Sequence, residues 1–84
     1  MARVNEKIKT KYIIKTFLCA FRGQKFTSRQ IADFIIDNEL NSVNTEVNKN
    51  AIARMINSDI QFGSILKDVQ VEKINGKNHY WMES

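Results

Sequence analysis

Asp33 and Asp37 stand four residues apart, the spacing that sets two carboxylates on one face of a helix, where they could share a divalent cation or relay a proton. Two carboxylates without a histidine or a third acid make a weak site, and a solvated helix face is the simpler reading. His79 is the only histidine, and with no cysteine, serine or second histidine to work with it is a poor catalyst or zinc ligand. Cys19 is the only cysteine, so the chain can form no internal disulfide and no paired-cysteine metal site. Its apolar neighbours suit a buried thiol in a reducing cytoplasm. Tyr80 and Trp81 invite a stacking platform for single-stranded nucleic acid, but adjacent residues of a strand point to opposite faces, which leaves Trp81 alone on the outer one. Glycine-rich phosphate loops and nucleophile motifs are missing from the sequence. The expectation is therefore a protein that is not an enzyme, with no metal, no cofactor and no small-molecule ligand.

The charges say more. Through residue 29 there are eight basic residues (Arg3, Lys7, Lys9, Lys11, Lys15, Arg22, Lys25 and Arg29) against the single acid Glu6, a balance of +7. The other 55 residues carry five basic and eight acidic side chains, a balance of −3. Such asymmetry in a chain of net charge +4 points to a polyanionic partner, nucleic acid before membrane. A solvated, solubilising face is the alternative reading. At 84 residues, 43% hydrophobic and 26% charged, the chain suits one small folded domain over 1–84. No apolar run approaches the roughly 18 residues of a membrane span and no leader pattern opens the sequence, so a soluble, unsecreted protein without a membrane partner is expected.

Helical periodicity sets the first elements. Ile13, Ile14, Phe17, Leu18 and Phe21 recur at three- and four-residue steps within 6–22, with Lys7, Lys11, Lys15 and Arg22 on another face. Gly23 follows where a left-handed C-terminal residue would stand, and residues 24–26 form a short extended link. Thr27 and Gln30 match a capping box for a second helix over 28–37, with Ile31, Phe34 and Ile35 inward. A polar connector over 38–44 is anchored by Leu40 and Val43. Thr45 is a suitable N-cap for a third helix over 46–58, with Glu46 at its positive end. Val47, Ala51, Ile52, Met55 and Ile56 form its inner face, and Lys49, Asn50, Ala53, Arg54 and Asn57 point outward. Ile60, Phe62 and Ile65, around Gly63, either cap the core or form a dimer contact.

From 67 to 82 the period changes to two. Asn75-Gly76 is a strong signal for a two-residue type I′ turn, which needs positive φ at both positions. Counting outward pairs Ile74 with Lys77, Lys73 with Asn78, Glu72 with His79, Val71 with Tyr80, Gln70 with Trp81 and Val69 with Met82. One face then gathers Val69, Val71, Tyr80 and Met82.

Helix, short strand, helix, helix and hairpin, in that order over residues 6–82, resemble the winged helix-turn-helix superfamily. Its sharpest local piece is Phe26-Thr27-Ser28-Arg29-Gln30-Ile31-Ala32, similar to the opening of a helix-turn-helix, followed by Ile52 and Met55-Ile56 where a recognition helix would pack. The fold class implied is α+β, a small winged helix domain of three helices and a C-terminal β-hairpin, the wing. The resemblance further implies that the third helix enters the major groove of double-stranded DNA while the wing touches phosphate. Asn50, Arg54 and Asn57, spaced by four and three, would read base edges, since Asn pairs with adenine and Arg with guanine. Thr45 and Lys49 at the helix start and Lys73, Lys77 and Asn78 at the wing would hold the backbone, and Asn48 and Arg29 complete the DNA-binding set. The connector is longer than the three or four residues usual in a helix-turn-helix, and the basic first helix has no assigned part.

The expected function is that of a small, cytoplasmic or nucleoid-associated transcriptional regulator that binds specific duplex DNA sequences as a homodimer. Its source, on the same resemblance, would be a virus or mobile element, acting in the host cytoplasm. The alternative is a winged helix adaptor that docks an acidic protein through its basic first helix.

Overall fold

A computed structural model describes residues 5–38, 40 and 47–83. Its order is α1 (Asn5–Ala20), β1 (Phe26–Thr27), α2 (Ser28–Asp37), α3 (Lys49–Phe62), β2 (Gln70–Ile74) and β3 (Lys77–Trp81). This is a small α+β architecture, three helices beside a three-stranded antiparallel sheet of order β1-β3-β2, compatible with a winged helix arrangement.

α1 ends two residues short of expectation because Gly23, at φ 85°, turns the chain and donates its amide to the Met82 carbonyl at 2.8 Å. Phe21 lies in that turn and stays 46% exposed, although its ring meets Phe17 and Phe26. α2 has the anticipated bounds and cap. The Gln30 amide donates to Thr27 Oγ1 at 3.2 Å, and the Thr27 amide donates to Gln30 Oε1 at 2.9 Å. Thr27 thus closes the capping box and also ends β1, which fixes the angle at which α2 leaves the sheet.

α3 departs from the expected 46–58 at both ends. Its N-cap is Asn48, whose Oδ1 accepts from the Ala51 amide at 2.9 Å. Asn caps a helix as well as Thr does, and here Val47, one residue before the cap, reaches the core that also holds Ile52. Thr45, Glu46 and Val43 lie outside the described residues. At the other end the helix runs past the expected residue 58 to Phe62, and Asp59 within that extension turns inward and is only 4% exposed.

The hairpin has the expected turn and register. Asn75 has φ 53° and Gly76 φ 81°, and the five pairs from Ile74–Lys77 to Gln70–Trp81 are those counted from the sequence. Val69 and Met82 lie beyond the ladder but are buried. Val71 does not join them and is 44% exposed, since β2 is the outer strand and the core reaches only its Val69 end. β1 adds to the other edge of β3 through Phe26–Tyr80 and Thr27–His79.

Ile14 and Leu18 of α1, Ile31 and Ile35 of α2, Ile52 and Ile56 of α3, Leu66 and Tyr80 are completely buried in one core. Burial of side chains this size contributes about 1.5 to 3 kcal/mol each. Ile60 and Ile65 pack against this core, whereas Phe62 is 81% exposed.

Asp59 binds these layers together. It accepts from Lys11 Nζ of α1 at 2.9 Å and from the Leu66 amide in the loop after α3. Lys11 therefore leaves the outer basic stripe expected of α1 and becomes a partly buried ion-pair partner. Gly63 is the residue that lets the carboxylate sit there: its φ of −102° would suit any residue, but a Cβ would run into the Asp59 side chain. Burial opposes ionisation of Asp59, yet the Leu66 amide, the Lys11 ammonium and the Ile65 amide outweigh it and hold its carboxyl below the usual 3.8.

Asp59→Asn is expected to lower stability by about 2 to 4 kcal/mol at neutral pH. Because the folded carboxyl titrates below the unfolded one, this contribution is complete above about pH 5 and is lost as the pH falls through about 4 towards the folded value. Urea denaturation of both proteins between neutral and acid pH measures it as a gap that closes on acidification. A gap independent of pH would mean that the charge of Asp59 contributes nothing.

Candidate nucleic-acid interface

Three elements bring cations to one place. Arg29 stands in the first turn of α2, Lys49 begins α3 and Lys77 begins β3, and all three line a notch of about 230 Å³ together with Ser28 and Asn78. Among the described residues no acidic side chain lines it. Tyr80 and the small side chain of Ala53 complete the notch, which a larger residue at 53, one helical turn after Lys49, would fill. The first amides of α2 add a partial positive charge at the same end, although Thr27 satisfies that of Gln30.

Beyond the notch, α3 presents a polar face. Asn50, Arg54 and Asn57 are all exposed and follow one another at four- and three-residue steps. Arg54 is the only charged group among them. Asn57 is partly committed, because its Oδ1 accepts from the Tyr80 hydroxyl at 3.3 Å. That bond occupies one of the two lone pairs of Oδ1 and ties the orientation of the Asn57 amide to Tyr80. Asn48, expected to face a partner, uses its side-chain carbonyl to cap α3. Lys73 is exposed and lies opposite Asn78 in the hairpin, one step from the turn. Of the ten residues singled out from sequence, Arg29, Lys49, Lys77 and Asn78 meet at the notch, Asn50, Arg54 and Asn57 share the α3 face, and Thr45 is outside the described residues.

Several charges of the first 29 residues are engaged by contacts that sequence spacing does not reveal. Lys11 pairs with Asp59, Lys25 pairs with Glu72 at 3.0 Å and lies 4.4 Å over the Trp81 ring, and Arg22 donates to the Glu83 carbonyl. Trp81 covers the outer face of the hairpin, as its alternation with Tyr80 implied, and Lys25 is what covers Trp81. His79 Nδ1 lies 2.9 Å from the Lys77 carbonyl, a bond in which the ring nitrogen must be the donor. Asp33 and Asp37 are exposed, and among the described residues no group of three or more histidine, cysteine or acidic side chains could hold a metal ion. Nor, among those residues, is any helix long and apolar enough to cross a membrane.

No protein-family model, curated protein or solved structure matches this chain.

Three like charges around one notch repel each other, so an anion seated there stabilises the fold by preferential binding. Phosphate should raise the melting temperature more than chloride of equal ionic strength, and Arg29→Gln with Lys77→Gln should remove the difference. An equal rise in the double variant would assign the effect to general salting-out.

Proposed function

We infer that this protein binds double-stranded DNA in a sequence-specific way and acts as a small transcriptional regulator of winged helix type, in the cytoplasm and as a homodimer. In this reading α3 lies in the major groove, Arg54 and Asn50 read base edges, and Asn57 donates from its free amide. Arg29, Lys49 and Lys77 hold the phosphate backbone, with Lys73 and Asn78 at the wing beside them. The observation that carries the reading is the meeting of Arg29, Lys49 and Lys77, from three separate elements, in one notch flanking the polar face of α3. Phosphate contacts of this kind fix register and orientation, which leaves sequence choice to the helix between them. A protein-docking role for the first helix draws less support, because Lys11, in the middle of its basic face, is paired with Asp59 within the chain.

Fluorescence anisotropy across a salt series, with random duplexes and duplexes selected from a random pool, tests this. A selected duplex should bind at least about a thousandfold tighter than random DNA at the same salt. Arg54→Ala should lose about 1 to 3 kcal/mol on the selected duplex alone, while Lys77→Ala should weaken both and reduce the salt slope by about one unit. Weak and equal binding to every duplex would sink the groove-reading model.

A further inference from the structure

The exposed apolar surface is concentrated in one groove. It runs between α1 and the C-terminal part of α2, has a volume of about 340 Å³, and shares no lining residue with the cationic notch. Tyr12, Phe21 and Leu40 line it and are 54%, 46% and 39% exposed, so half of the large exposed hydrophobic residues among those described meet here. Phe17 and Phe34, stacked with centroids 4.2 Å apart, form its floor.

The two walls differ in charge. On the α1 wall stands Lys9. No described acidic residue lines the α2 side, but exposed Asp37 stands three positions from both lining residues Phe34 and Leu40, at the groove's rim, and exposed Asp33 precedes Phe34. Lys9, Asp33 and Asp37 have no ion-pair partner among the described residues. An isologous contact must be complementary to itself, which a groove with walls of opposite charge satisfies under one choice of axis. A two-fold axis across the groove would set α1 on α1 and lysine against lysine. An axis along the groove sets each cationic wall on the acidic wall opposite.

We propose that this groove is a homodimer interface, in which a second copy packs about a two-fold axis running along it. Lys9 of each protomer then meets the partner's Asp37, and Tyr12 covers the apolar floor contributed by Phe34 and Leu40 of the partner subunit. Both cationic notches remain open. The proposal rests on the homodimer of the reading given above and assigns its interface, and because the assembly needs no DNA, failure to dimerise and failure to bind DNA are read separately.

Sedimentation equilibrium of the full chain without DNA, at micromolar concentrations, should give twice the 9.8 kDa chain mass. Tyr12→Lys and Asp37→Lys should each weaken the dimer by about tenfold or more, since a two-fold axis counts every change twice. Both substitutions sit at exposed helix positions and the second is favourable at a helix C-terminus, so a native circular dichroism spectrum and a cooperative melt, lowered only by the lost association and independent of protein concentration, are expected of a folded monomer. The double variant Lys9→Asp, Asp37→Lys should restore dimerisation. A monomeric wild-type protein, a dimer indifferent to both single changes, or failure of the charge exchange to restore association would each overturn the proposal. A dimer that binds no DNA would uphold it.

Discussion

Asp59 is the constraint on which the arrangement of elements turns. A carboxylate at this depth is tolerable only when ion pairing and hydrogen bonds replace its water, and each replacement fixes a different part of the chain. The Lys11 ammonium orients α1 against α3. The Leu66 amide draws the loop after α3 back over the core, where Leu66 and then Val69 become buried and aim the chain into β2. Gly63 contributes by having no side chain at the point where one would displace the carboxylate. One ionised group thus links the helical layer to the sheet.

Local signals in the sequence proved to be the legible ones. The capping box of Thr27 and Gln30 and the Asn75-Gly76 turn each act within four residues, and each needs only its own residue types to form. The hairpin register followed from the turn because a two-residue loop permits no slip. The ends of α3 were not legible, since they depend on Val47 reaching the core and on Asp59 finding Lys11, 48 residues earlier in the chain. Val71 shows the same limit from the other side: alternation assigns it to the inner face, but the edge of the helical layer decides that it stays in water.

The candidate site divides along the same line. That Arg29, Lys49, Lys77 and Asn78 are suited to phosphate follows from their types and from the element order. Their convergence depends on how β3 lies against the starts of α2 and α3, and on the small Ala53 between them. Conversely, charge counting overstated the start of the chain. Lys11, Arg22 and Lys25 contribute to the +7 of the first 29 residues, yet each is held by another part of the fold. The free positive charge of that stretch is therefore smaller than a sum over sequence suggests.

The strand order β1-β3-β2 has a consequence for how the chain reaches this state. The middle strand is the last element in sequence, and its Tyr80 pairs with Phe26 across 54 intervening steps of chain. β1 and β2 share no ladder with each other and meet only through β3, the last of the three strands in sequence. Closing the loop from Phe26 to Tyr80 carries an entropic cost that contacts between neighbouring helices do not bear. The seating of Tyr80, which completes both the core and the notch, is thus the contact of the sheet that asks most of the chain.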